Sequence, residues 1–255
     1  MKPMTLKEAF GLKQGEMVAL IGAGGKTTTL FRLAHELWKE GGKVLVTTTT
    51  KIFKPTKPHV HKLYLAQELD ALLNQLAQIN EPMIVSAGSS LDEAGKLVGL
   101  PSDWLGPLQN NCGMDWILME ADGAAMKPFK VPADHEPVVP EGCPLTVWVM
   151  GVKVLGQPLT ADLVHRAKRA AELAGVKLGT PVTQQLILRL VQDPRGCLKG
   201  IPPGSRKVAL INQADTAEDV KKAGALGRAL LRQGIERVVI TSYLSDDPVK
   251  EVITS

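Results

Sequence analysis

Short apolar runs alternate with helix-patterned stretches along this chain. Met17-Val18-Ala19-Leu20-Ile21 contains no polar position, the pattern of a strand buried on both faces. After a glycine-rich turn, Leu30, Leu33, Ala34, Leu37 and Trp38 follow the i, i+3, i+4, i+7, i+8 spacing of a helix with one apolar face. Gly41-Gly42 stops that helix. Lys43 to Thr47 reads as a second strand, Leu65 to Ile79 as a helix, and Pro82 to Ser86 as a strand. Further strands are expected at Trp116 to Met119, Leu145 to Met150, Lys207 to Ile211 and Arg237 to Thr241. Strand-then-helix alternation of this kind predicts a parallel sheet wrapped by helices.

Two stretches break the rhythm. Asp122 to Pro144 holds five prolines and no periodicity, so it reads as a functional loop or a cover over a site. Residues 156–200 look mainly helical, with Leu163, Val164, Ala167, Ala170, Ala171 and Ala174 on one stripe, and are expected to form a small helical insertion. With no internal repeat and no low-complexity linker, 1–255 is expected to be a single domain.

Composition narrows the class. The 255 residues are 44% hydrophobic and 22% charged, which excludes disordered and fibrous chains. No apolar run reaches the roughly 20 residues of a membrane span. No signal-peptide core follows Met1, and three scattered cysteines, Cys112, Cys143 and Cys197, suit a reducing compartment. A cytoplasmic protein is expected, with no membrane partner; a homodimer is left open. Residues 1–60 carry ten Lys or Arg against four Asp or Glu, net +6, while the whole chain is +4. This asymmetry points to an anionic partner near that end. With aromatics at 4% and no basic run, a small anion fits better than nucleic acid.

Gly22-Ala23-Gly24-Gly25-Lys26-Thr27-Thr28 supplies a cradle for such an anion. It lies between a predicted strand and a predicted helix, where tightly curled backbone N–H groups and the positive helix end can hold phosphate. In that role Lys26 reaches the β- and γ-phosphates and Thr27 binds Mg²⁺. The spacing departs from the full P-loop pattern, which places glycine where this chain has Leu20. The shorter loop resembles that of the amino-acid-adding ligases of cell-wall synthesis.

A phosphate loop needs a carboxylate at a nearby strand end. Trp116-Ile117-Leu118-Met119-Glu120-Ala121-Asp122-Gly123 offers Glu120 and Asp122 on one face, since strands repeat every two residues. Either can hold Mg²⁺ or orient an attacking water, and spacing does not choose between them. Asn212-Gln213-Ala214-Asp215 after a later strand is similar to the Asn-Lys-x-Asp turn with which GTPases read guanine, with Gln213 in place of lysine. It reads equally as a polar turn capping the next helix. Thr241-Ser242 follows the next strand, where such proteins place a second base-contacting loop. GTP and ATP both stay open.

Thr47-Thr48-Thr49-Thr50-Lys51 can meet a γ-phosphate, or merely finish a β-branched strand. His135-Glu136 and His165-Arg166 are weak pointers to a substrate site within the two irregular stretches.

Glu120-Ala121-Asp122-Gly123, Lys127-Pro128 and Pro132-Ala133-Asp134-His135-Glu136-Pro137-Val138-Val139-Pro140 resemble the selenium-dependent hydroxylase accessory proteins, a family with a P-loop-like nucleotide motif. The glycine turn, the Thr47 to Lys51 run and His165-Arg166 fit the same family. The resemblance implies a P-loop NTPase-like α/β protein that helps mature molybdenum hydroxylases carrying labile selenium. A hydroxylase or its cofactor is then an expected partner. Lys51, Lys127, His135, Glu136, His165 and Arg166 become candidates for holding a substrate. The expected activity is binding of GTP or ATP with Mg²⁺ and hydrolysis of it; the alternative is a phosphotransferase or ligase that uses the nucleotide to activate a small substrate.

Overall fold

The structure, a computed structural model, describes residues 3–254. The strands are β1 (Met17–Gly22), β2 (Val44–Thr48), β3 (Lys51–Phe53), β4 (Lys62–Leu65), β5 (Ile84–Gly88), β6 (Ser90–Leu91), β7 (Lys96–Val98) and β8 (Trp116–Glu120). They continue with β9 (Phe129–Lys130), β10 (Leu145–Gly151), β11 (Val164–His165), β12 (Arg206–Asn212), β13 (Arg237–Thr241) and β14 (Val249–Thr254). The helices are α1 (Leu6–Phe10), α2 (Lys26–Lys39), α3 (Leu69–Ala77), α4 (Leu105–Asn111), α5 (Ala167–Ala174), α6 (Gln184–Gln192) and α7 (Ala217–Leu231).

Among the described residues, nine strands form one sheet in the order β14-β13-β12-β10-β1-β8-β2-β5-β4. Every pairing in it is parallel except β13 with β14. Both faces are covered, as the unbroken apolar run of β1 requires. Val18 and Leu20 join a core with Leu6 and Phe10 of α1 and Leu30, Leu33 and Leu37 of α2. Met17, Ala19 and Ile21 point the other way, into a core shared with α3 through α7. From β1 the chain crosses by α2 to β2, leaving room for β8 between them, whereas from β10 it goes the opposite way to β12. The neighbours β1 and β10 therefore flank a point where chain direction diverges, and open parallel sheets leave a crevice beyond the strand ends there.

The predicted strands are all present, and the α2 stripe is buried apart from a half-exposed Trp38. Other elements differ from expectation. The helix expected from Leu65 starts only at Leu69, because Lys62–Leu65 pairs with β5 as an edge strand and Glu68 is extended. The stripe expected from Leu163 is cut at Arg166, whose φ of 64° lies in the left-handed region; Val164 instead pairs with Phe129. The segment 156–200 thus holds α5, α6 and the short β11, and its Val164, Ala170, Ile187 and Leu190 lie in the same core as the sheet. The short α1 was not foreseen; Thr5 and Glu8 form its capping box, and Gly11 ends it at φ 62°. Strands β3, β7 and β6 make a separate small antiparallel sheet beside the main one.

Candidate functional site

The glycine turn lies at the divergence point. Gly22, Gly24 and Gly25 have φ values of 92°, 92° and 124°, a region closed to most side chains. Space forbids side chains as well. A Cβ on Gly24 would run into the Gly151 amide nitrogen at the end of β10, and one on Gly25 into the Asn212 side chain. The backbone therefore curls against two neighbouring strand ends, and α2 begins at Lys26 directly after it.

The Lys26 ammonium is buried and donates to the Gly22 carbonyl at 2.7 Å. It lies 3.0 Å from Asp122 and 3.8 Å from Glu120. These two carboxylates, indistinguishable by spacing, separate by contact. The Thr27 hydroxyl donates to Glu120 at 2.5 Å. Burial pushes the Glu120 carboxyl up; Lys26 and the Thr27 hydrogen bond oppose that, and Asp122 adds to it. Asp122 faces the loop itself and accepts the Gly22 amide at 2.9 Å.

Behind Asp122 sits a residue that sequence reasoning missed. Lys130, 1% exposed, places its ammonium 3.0 Å from Asp122 and 2.7 Å from Glu136, and donates to the Gly123 carbonyl at 2.6 Å. Arg166 reaches Glu136 at 2.8 Å. Burial works to raise the Glu136 carboxyl, but the two cations outweigh it and hold it down at about 2. The available signal was a lysine between Phe129 and Val131, both wholly buried, in a stretch rich in carboxylates.

The threonine run finishes strands. Thr47 donates to the Ala87 carbonyl, Thr48 to Glu120 and Thr49 to Val138, each at 2.8 Å. These hydroxyls stitch β2 to its neighbours and to the proline-rich loop. Asn212 serves the glycine turn: its amide donates to the Gly24 carbonyl at 2.8 Å and its oxygen accepts from Thr241 at 3.0 Å. Asp215 accepts from the Ser242 hydroxyl at 2.7 Å, joining the two loops paired in the sequence reading.

One cleft of about 1160 Å³ collects most of these groups. Gly24, Gly25, Lys26, Thr27, Thr28 and Glu120 line its floor, and Asn212, Gln213 and Asp215 one end. Lys51, Lys127 and His165 line other walls, with Phe53 and Lys96 from the small sheet. The His165 imidazole is pushed toward its neutral form by burial, then by the nearby Arg166 and Lys130 charges. Ala23 is buried under the turn. His135 is exposed and does not line the cleft, nor do Glu136 and Arg166; Glu136 is paired with both Arg166 and Lys130. Among the described residues, no group of three or more His, Cys, Asp or Glu converges as a ready-made cation cage.

Fold and site together define an α/β protein with a large, mostly parallel sheet between helices and a cleft at the carboxyl ends of several of its strands. The model of the YqeC protein family matches residues 18–168, a stretch holding the glycine turn, Glu120, Asp122, Lys130 and Arg166. The chain is also 31% identical over 226 residues to a protein of Escherichia coli (strain K12) named "Uncharacterized protein YqeC", covering 89% of this chain and 87% of that one. The chain belongs to the YqeC family. Among the described residues, no helix is long and apolar enough to cross a membrane.

Proposed function

We propose that this protein binds a nucleoside triphosphate, GTP or ATP, together with Mg²⁺ and hydrolyses it in the service of selenium-dependent molybdenum hydroxylase maturation. The observation that carries the chemical half is the join of Gly24, Gly25, Lys26 and Thr27 to Glu120 on the floor of one cleft. Backbone amides of a curled turn, a helix start and a lysine suit the oxygens of a polyphosphate. The Thr27 hydroxyl and the Glu120 carboxylate would be the protein oxygens that hold Mg²⁺. Bound Mg²⁺ would neutralise charge on the β- and γ-phosphate oxygens. Lys26 adds a fixed positive charge where charge develops, and Asp122, held by Lys26 and Lys130, keeps the turn in shape. Asn212 braces the turn and Asp215 stands at the base end.

The biological half is supported by membership of the YqeC family, which is the family of selenium-dependent hydroxylase accessory proteins that the motif blocks resemble. In this reading a molybdenum hydroxylase or its cofactor is the partner, and the work is done in the cytoplasm.

Phosphate release from Mg·GTP and Mg·ATP tests the chemistry. The Lys26→Ala variant should lose turnover roughly 100-fold or more; unchanged turnover would overturn the assignment. Selenium content and activity of a selenium-dependent hydroxylase in cells lacking the gene test the role, with restoration expected from the wild-type gene alone.

A second reading rests on Lys51, Lys127 and His165, which line the same cleft. They offer a place for a second, anionic small molecule to be activated by the nucleotide. Turnover that stays negligible until such a molecule is added would favour this phosphotransferase or ligase.

A further inference from the structure

The base end of the cleft carries a hydrogen-bonding pattern. The Asp215 carboxylate lines the cleft with one oxygen accepting from Ser242 at 2.7 Å and the other 3.4 Å from the Lys153 ammonium. A carboxylate offers about four lone-pair sites, so both oxygens keep capacity for further donors. Lys153 comes from the turn after β10 rather than from the Asn212–Asp215 turn, and its ammonium also meets Asp219 at 2.8 Å. Gln213 belongs to the same turn as Asp215. It holds a left-handed φ of 65°, and its Oε1 is buried without a hydrogen-bond partner among the described residues. A Cβ on Gly151 would strike that oxygen, so the amide lies flat on the strand end at the cleft floor. That oxygen is closed off against Gly151, so it takes no part in meeting a ligand, and the groups free to do so are Asp215 and Lys153.

One carboxylate acceptor, Asp215, thus stands beside one cationic donor, Lys153, in the cleft that the glycine turn also lines. Asn212, which holds Gly24, is only three residues from Asp215, so at most roughly 10 Å of chain separates cradle and carboxylate. The ligand edge that complements such a set presents N–H donors beside a carbonyl oxygen. Guanine does so, with N1–H and the 2-amine next to O6. Adenine presents an amine where O6 would be and an acceptor at N1, which would set donor against donor at Lys153 and acceptor against acceptor at Asp215.

We infer that this end of the cleft is a 6-oxopurine subsite in which Asp215 accepts from N1–H and the 2-amine while Lys153 donates to O6, making the nucleotide GTP. Lys153 is then a specificity residue supplied from outside the turn that carries Asp215. It brings a cation to the site where Gln213 has taken the place of lysine. This inference rests on the nucleotide reading and narrows its base.

Calorimetric titration of the full chain with GTP, ITP, XTP and ATP, each with Mg²⁺, tests it. Wild type should bind GTP roughly tenfold or more tighter than ATP, with ITP between them because it lacks the 2-amine. Asp215→Asn, which turns one acceptor into a donor, should weaken GTP and strengthen XTP, whose C2 carries an oxygen. Lys153→Met should weaken GTP and ITP together without weakening ATP, whose amine no longer meets a donor there, and Lys153→Arg should keep most of the preference. Circular dichroism confirms that each variant is folded. Triphosphates that bind in a Lys26-dependent way with no preference for guanine, or with a preference that survives Asp215→Asn, would overturn the subsite and leave the cradle standing. Failure of every triphosphate to bind would overturn both.

Discussion

The Thr27 hydroxyl donates to Oε1 of Glu120 across 2.5 Å, joining the first turn of α2 to the end of β8. Strand β8 sits between β1 and β2, and α2 crosses over it, so the sheet order itself brings this pair together. In the proposed Mg²⁺ site, this contact makes Glu120, rather than Asp122, the carboxylate that would face the metal. Glu120→Gln and Thr27→Ala should each cut Mg²⁺-dependent turnover roughly 100-fold or more, with nucleotide affinity less affected in the absence of metal. Titration of turnover against Mg²⁺ checks this; an unchanged Mg²⁺ dependence in both variants would place the metal elsewhere.

Lys130 joins Asp122 behind the glycine turn to Glu136 in the proline-rich loop. Replacing it with methionine keeps the volume and removes the charge, leaving two carboxylates without their shared cation. Asp122 keeps Lys26 and Glu136 keeps Arg166, so the cost should stay below the about 3–5 kcal/mol of stranding a buried charge, and denaturant unfolding should show it as a lower midpoint with little change in slope. Adding Glu136→Gln should recover part of the loss, because one of the two carboxylate charges is then gone. A Lys130→Met protein as stable as wild type would refute the role of this lysine as the hub of the network.

Glu136 gives the fold a pH dependence of definite sign. Its carboxyl falls from an ordinary 4.5 to about 2 in the folded protein, because the Lys130 and Arg166 charges outweigh burial. The folded state therefore favours the ionised form. The stabilisation is fully present above pH 4.5 and is lost as pH falls toward 2. Measured against Glu136→Gln, the stability advantage of wild type should shrink across that window and stay constant from pH 5 to 7. An advantage that grows on acidification would contradict the ion-pair assignment.

The sheet was legible because parallel strands buried on both faces read as unbroken apolar runs, as at Met17–Ile21 and Trp116–Met119. The edges were not. Lys62–Leu65 and Val249–Thr254 expose one side, and their weak alternation is easily lost beside a helix pattern or a loop. The glycine turn between β1 and α2 could be read from Gly22 to Thr28, since a strand pattern ends and a helix pattern begins on either side of it. The identity of the partners could not. That Asp122 supports the turn while Glu120 meets Thr27 depends on which way two neighbouring carboxylates turn at a strand end. Lys130 and Lys153 belong to no motif, and only the fold brings them against Asp122 and Asp215. Local pattern also failed at Arg166, where a left-handed residue interrupts an apolar stripe that otherwise runs on.

Every proposed step depends on a polyphosphate held in the turn at Gly22–Thr28. The most direct test of that binding is calorimetric titration of Mg²⁺-nucleoside triphosphate into wild type, Lys26→Ala and Gly24→Ala, with folding checked by circular dichroism. The account predicts one bound triphosphate per wild-type chain and none in Gly24→Ala, whose added methyl would collide with the Gly151 amide. In Lys26→Ala, binding should be weakened roughly 100-fold or more, about 2.7 kcal/mol. Folded variants that bind as tightly as wild type, or a wild type that binds nothing, would contradict it.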